Sequence, residues 1–182
     1  MIGLLAALTV IAQLSVLAVI VAWIVQRATG GARRPLDTLT RWIGPDSLKL
    51  AWLVATIAMV GSLYMSEVRH FQPCVLCWYQ RIAMYPLVIV LGVAAIRRDY
   101  AVRWYALPLA LTGLAVGIYH YQLERFPEQE AIACSSSVPC TTIWFEQLGY
   151  ITIPMMAMSA FALIAVIVTL GGRHGQGITG KA

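Results

Sequence analysis

Charged side chains are scarce in this 182-residue chain: 12% of the residues are Asp, Glu, Lys or Arg, against 60% hydrophobic. So few charges, with such long uncharged runs between them, exclude a soluble domain and indicate a bilayer protein. Internal repeats and low-complexity segments are also absent, which excludes solenoid arrays and biased linkers. The first apolar run lacks a basic start and a clear small-residue cleavage site, and it is too long for a signal-peptide h-region. The expectation is therefore a retained helix rather than a removed leader. Positive charge is nearly missing from the apolar runs. The net charge of +5 resides in short loops between them, a pattern of membrane orientation signals, and no nucleic-acid partner is expected.

What is present is a series of five apolar spans. They run from Ile2 to Val25, from Leu48 to about Ser66, from just after Pro73 to Ile96, from Trp104 to Gln122, and from Tyr150 to Leu170. The first is long enough to cross a hydrocarbon core of ~30 Å. The segment Arg27–Lys49, with Gly30, Gly31, Pro35 and Pro45, reads as a loop carrying a short interfacial helix around Leu36–Ile43, Trp42 lying at headgroup level. Arg97 to Arg103 is a tight basic turn, Leu123 to Gly149 a longer polar stretch, and residues 172–182 a Gly-rich tail.

Lys and Arg set the orientation. Loop 27–49 carries five, turn 97–103 three and the tail two, ten in all, against Arg69, Arg81 and Arg125 on the other side. The excess predicts that the first set is cytoplasmic, the N-terminus outside and the C-terminus inside. All four cysteines then fall on the outer face, where disulfides form and persist.

Those cysteines come as C-x2-C at Cys74 and Cys77 and as C-x5-C at Cys134 and Cys140. The first pair follows Pro73, a residue suited to the first turn of a helix, so both thiols would lie at the positive end of the helix dipole. Arg81, at i+4 from Cys77, shares its face. Three readings remain open. Four thiolates can bind zinc, although such sites usually pair shorter spacings. Static bridges across such small loops would be weak staples. Thiol–disulfide exchange suits small, accessible disulfides, and in a membrane a dissolved quinone is the obvious two-electron acceptor.

The third span offers a place for one. Cys74, Cys77, Arg81, Met84 and Val88 make a single stripe of thiol, charge and apolar surface. An intramembrane arginine is costly; Arg81 either snorkels to the outer headgroups or stabilises a thiolate and developing negative charge on a quinone oxygen. His120, near the outer end of the fourth span and four residues before Glu124, is either an interfacial histidine or a donor to a bound quinone. Met155, Met156 and Met158 read as flexible packing or as pocket lining. Tyr and Trp near the span ends form an aromatic belt.

The run Pro73-Cys74-Val75-Leu76-Cys77-Trp78-Tyr79-Gln80-Arg81, the basic turn, Tyr119-His120 and an outer loop with a second cysteine pair together resemble disulfide bond formation protein B. The nearest form is the short one of Gram-positive bacteria, often called BdbC. The similarity covers roughly residues 47–171. Taken with the five apolar spans, it implies an all-α, polytopic membrane protein of five transmembrane helices. The last four would form a four-helix catalytic bundle over 47–171, with 1–46 an extra helix plus basic loop and 172–182 a cytoplasmic tail.

It further implies a bacterial plasma-membrane enzyme that reoxidises a secreted, DsbA-like thioredoxin-fold thiol oxidase and passes the electrons to ubiquinone or menaquinone. By the same resemblance Cys134 accepts the partner's thiolate, Cys140 relays to Cys74, and Cys77 forms the thiolate–quinone charge-transfer species beside Arg81, with His120 near the ring. No metal is expected. The related vitamin K epoxide reductase-like proteins place the loop pair before the C-x-x-C; here it follows. Three departures stand out: the additional first span, a Cys134–Cys140 loop shorter than in long-loop members, and Gln80 where some relatives carry Glu.

Overall fold

The computed structural model describes residues 1–30, 35–129, 134 and 138–179, the side chains of 176–179 excepted. It contains the helices α1 (Ile2–Ala28), α2 (Pro35–Ile43), α3 (Ser47–Leu63), α4 (Val75–Arg97), α5 (Arg103–Arg125) and α6 (Ile153–Thr179). Among the described residues, five stretches are long and apolar enough to cross a membrane: Ile2–Ala28, Pro35–Val68, Val75–Arg97, Tyr100–Arg125 and Ile153–Gly175. The five-span, all-α architecture expected from the sequence is the one observed.

Helices α3 to α6 close a four-membered ring in which α3 packs on α4, α4 on α5, α5 on α6 and α6 back on α3. Between lipid-facing helices the hydrophobic effect supplies little association energy, so close packing of small residues must do so. On α5, Ala106, Ala110, Gly113 and Gly117 recur at helical spacing and are all buried. This flat stripe admits α6: a Cβ at Gly113 would sit on the Phe161 ring, and one at Gly117 would lie 2.8 Å from Met158 Cβ. Phe161, Ile164, Leu87 and Leu91 fill the interior, each fully buried.

At one end of the ring the basic connections meet. The short helix α2 is present where an interfacial helix was predicted, with Leu36 buried and Trp42 81% exposed. The expected Gly-rich tail takes a different form: α6 continues past Leu170 to Thr179. Its glycines explain why. Gly171 lies against Ser47 and Gly172 against Arg103, at distances that leave no room for a side chain. Tyr100 meets His174 edge to face at 5.6 Å and donates its hydroxyl to the Pro45 carbonyl at 3.2 Å. These contacts repay the low helix propensity of glycine. Residues 180–182 of the predicted tail lie outside the described residues.

Helix α1 docks on the outside of the ring, principally against α6 and α2. Polar contacts fix its register: Gln13 donates through Nε2 to Ser159 Oγ at 3.1 Å and accepts from the Tyr150 hydroxyl at 2.9 Å, and Gln26 Oε1 accepts from the Leu36 N–H at 3.3 Å. Interhelical hydrogen bonds of this kind contribute about 0.6–2 kcal/mol in a bilayer. Leu4, Leu14 and Leu17 on the far face are exposed, as suits contact with lipid.

Candidate active site

The C-x-x-C motif starts α4, one residue later than predicted. Cys74, not a residue before it, is the N-cap: its backbone is extended and its Sγ accepts the Cys77 N–H at 3.4 Å. Pro73 therefore precedes the cap instead of occupying the first turn. The cause is local, since the Cys74 sulfur takes the place a Ser or Asp oxygen would fill in satisfying a free helix N–H.

The two sulfurs, neither of them in a disulfide, lie 3.2 Å apart. Behind them stands His120, 3% exposed, reaching from α5 with Nε2 3.5 Å from Cys74 Sγ. Its other nitrogen, Nδ1, lies 3.4 Å from Gln80 Nε2. An amide nitrogen only donates, so Nδ1 is the acceptor and the ring proton sits on Nε2, directed at Cys74. The Cys77 thiol, with His120 adding to it, holds Cys74 well below its ordinary value, at about 4, even against the cost of burial. One turn beyond His120, buried Glu124 accepts from the Thr152 hydroxyl at 2.6 Å.

The loop pair is joined, Cys134 to Cys140, with Cα atoms 5.9 Å apart. Cys140 is 1% exposed and packs in one apolar cluster with Cys74, Leu76 and Leu123, while Cys77 and Cys134 lie partly buried at its edge. Two cysteine pairs more than fifty residues apart in sequence thus share a single buried cluster. The loop is held over the helix ends by the Arg125–Glu146 ion pair and by Phe71, which stacks on Trp144 at 5.2 Å and touches Phe145.

On the other side of Cys77 a slot of about 350 Å³ opens between α1, α3, α4 and α6. Its outer end is lined by Phe71, Pro73, Trp144, Cys77, Gln80 and Arg81, and its body by apolar residues down to Leu50 and Leu163. Along α3 and the helical turn Tyr64–Val68 that extends it, that is fifteen residues from Met65 to Leu50, about 22 Å of helix. Arg81 crosses to α3, where Nε donates to Ser62 Oγ at 3.0 Å and Nη2 to the Ser62 carbonyl at 3.1 Å. Its guanidinium also lies 5.2 Å from the Trp78 ring centroid. Two of its five donors are spent this way. Tyr85, one turn deeper on the same face, lines the slot too, and its hydroxyl is buried without a hydrogen-bond partner among the described residues.

The residues singled out by sequence thus divide between two sides of α4. Cys74 packs with the loop pair and meets His120 at its sulfur, Arg81 faces the slot, and Cys77 borders both. His120 is not among the residues lining the slot. Met156 does line it, whereas Met155 and Met158 line a separate groove beside α1. Sequence reasoning passed over Gln80, Tyr85 and Glu124 as participants. The signal available was their polarity within apolar spans, where an intramembrane polar group normally has a partner or a task. The ligand atoms of Cys74, Cys77 and His120 lie within 4.8 Å of one another, close enough for a metal ion. The four-thiolate zinc site weighed from sequence is not formed, because two of the thiols are consumed by the Cys134–Cys140 bridge.

The sequence profile described as "Disulfide bond formation protein DsbB" matches residues 46–171. Disulfide bond formation protein C of Bacillus subtilis (strain 168) is 48% identical over 124 residues, covering 68% of this chain and 90% of the relative. A probable disulfide formation protein C 1 of Bacillus cereus is 45% identical over 121 residues, 66% of this chain and 87% of that protein. A probable disulfide formation protein of Oceanobacillus iheyensis is 46% identical over 122 residues, 66% and 84% respectively. No solved structure matches the chain.

Proposed function

Since the chain belongs to the DsbB family of disulfide bond formation proteins, we propose that it is a thiol:quinone oxidoreductase of the bacterial plasma membrane, with its cysteines on the outer face. Its partner is a secreted, thioredoxin-like thiol oxidase, which it returns to the disulfide form. The observation that carries this reading is the shared buried cluster of both cysteine pairs, with a long apolar slot opening beside Cys77.

The chemistry balances as two successive exchanges and one two-electron oxidation. A partner thiolate attacks Cys134, the Cys134–Cys140 bond breaks and Cys140 leaves as thiolate. The partner's second thiol then displaces Cys134, and the oxidised partner departs. Cys140 next attacks the Cys74–Cys77 disulfide at Cys74, and Cys134 resolves the resulting mixed bond, so the loop disulfide is restored and the helix pair is reduced. Cys74 and Cys77 return to the disulfide by giving two electrons and two protons to ubiquinone or menaquinone, released as quinol.

This chain's residues supply the rest. Three donors converge on the Cys74 sulfur: the Cys77 thiol, the Cys77 N–H and His120 Nε2. They stabilise it as the thiolate that leaves when Cys134 resolves the Cys74–Cys140 bond, and His120 is placed to hold or move a proton there. Arg81 and Tyr85 are donors suited to a carbonyl oxygen that gains negative charge. The apolar slot below them suits a prenyl tail.

The test is quinone reduction driven by the reduced partner, comparing wild type with Cys77→Ser and Cys134→Ser. Both variants are expected to lose turnover; full turnover in either would overturn the relay. The Cys74, Cys77 and His120 donor set favours a second reading, a zinc site without turnover. Stoichiometric zinc bound by a protein that reduces no quinone would establish it instead.

A further inference from the structure

The family profile begins at residue 46, so α1 lies outside the residues that it matches. Yet α1 borders the slot that reaches Cys77. Leu5, Leu8, Thr9 and Ala12 line it from one side, and their spacing of i, i+3, i+4 and i+7 puts them on a single helical face. Thr9 and Ala12 are 6% and 7% exposed, whereas Leu14, on another face, is 60% exposed. Thr9 turns its hydroxyl back to the Leu5 carbonyl at 2.8 Å, which satisfies that polar group within α1 itself. Leu5 also reaches across the slot's edge to Gly61 of α3, where a Cβ would lie 3.3 Å from both Leu5 methyl carbons. Gln13, adjoining this face, is the residue pinned to Ser159 and Tyr150. The helix is therefore held in one rotation with its slot-facing side inward.

The geometry points to α1 as a wall of the electron acceptor's binding site: Leu5, Leu8, Thr9 and Ala12 contact the prenyl tail of the quinone along the seam between α3 and α6. This rests on the quinone reading above and deepens it. The occupant follows from the slot's own shape. Its outer end carries the thiol of Cys77 and the donors Gln80 and Arg81, and its body beyond Tyr85 is almost wholly apolar. A ligand with a polar ring and a long hydrocarbon tail matches that division; a lipid acyl chain matches only the apolar half. The tail would lie against a surface of the protein, and the first helix would discriminate between quinones by the length and bulk of that tail.

The experiment uses the full chain in liposomes with saturating reduced partner, and measures KM for a long-tailed prenyl quinone and for a ring analogue without a tail. Ala12→Phe narrows the slot from the α1 side and is expected to raise KM for the prenyl quinone by about tenfold, the loss of contact with a few buried methylenes. KM for the tail-less analogue should change less than about twofold on the same accounting. Leu14→Phe, on the lipid face, should leave both values unchanged. An unchanged KM for the prenyl quinone in folded Ala12→Phe would overturn the proposal. Wild-type protein bearing a photoreactive tail-labelled quinone provides a readout free of any folding defect. Adducts on residues 5–12 support the wall, and adducts confined to α3, α4 and α6 overturn it. A wild type that reduces neither quinone would instead refute the oxidoreductase reading itself.

Discussion

The state of Cys74 gives the most direct handle on the chemistry of the site. Its ordinary value of 9.0 falls to about 4, first through the Cys77 thiol and then through His120, against the opposing effect of burial. A lowered value keeps the sulfur ionised above about pH 4, and protonates it as the pH falls through that point. At neutral pH Cys74 is then essentially all thiolate, whereas an ordinary cysteine is only a few per cent ionised. The perturbation is His120→Leu, which removes the Nε2 donor 3.5 Å from the sulfur. A hydrogen bond to a charged group contributes about 1.5–3 kcal/mol, which corresponds to about one to two pH units at 1.36 kcal/mol per unit. The midpoint should therefore rise to about 5–6 in His120→Leu. It should rise further in Cys77→Ala, which removes the dominant donor. The assay is the rate of iodoacetamide attack on Cys74 against pH. Adducts are counted by mass spectrometry in reduced protein whose Cys134 and Cys140 are replaced by Ala. A wild-type midpoint near the ordinary value, or a His120→Leu profile superimposable on wild type, would refute the assignment of these donors.

Two further predictions concern the slot and the bundle. Tyr85→Phe deletes the one hydroxyl that is buried in the slot wall without a partner among the described residues. Loss of a neutral hydrogen bond to a quinone carbonyl, about 1 kcal/mol, should raise KM for quinone about fivefold with little change in the rate of partner oxidation; an unchanged KM would remove Tyr85 from the site. Gly113→Ala places a methyl on the Phe161 ring and should lower the unfolding temperature of the purified protein, since overpacking costs about 1–3 kcal/mol. An unaltered melting curve would show that α5 and α6 are less tightly joined than described.

The large features were legible in the sequence for physical reasons. Span length and the absence of charge are dictated by the bilayer itself, so five helices could be read from hydropathy, and the interfacial helix from Pro35 and Trp42. The C-x-x-C spacing placed two thiols at a helix start. The cap moved by one residue because a sulfur atom can serve as the capping acceptor, which residue preferences do not signal. The helix through Gly171 and Gly172 was hidden for a similar reason: glycine reads locally as a breaker, while its value here comes from the close approach of Ser47 and Arg103. Pairings across the bundle were beyond reach altogether. Nothing local in Gln80 or Glu124 reveals that one meets His120 and the other Thr152. The inward face of α1 was equally concealed, because that helix is apolar all round and its slot-lining side differs from its lipid side only by what it touches.

The central claim is that the loop pair and the helix pair exchange disulfides, and it is tested most directly by trapping the bond between them. In the full-length double variant Cys77→Ser, Cys134→Ser, the only remaining thiols are those of Cys140 and Cys74, which share one buried cluster. Mild oxidation followed by peptide mapping is expected to recover a Cys74–Cys140 disulfide in most molecules. Recovery of both cysteines as free thiols, in protein that remains folded, would contradict the relay.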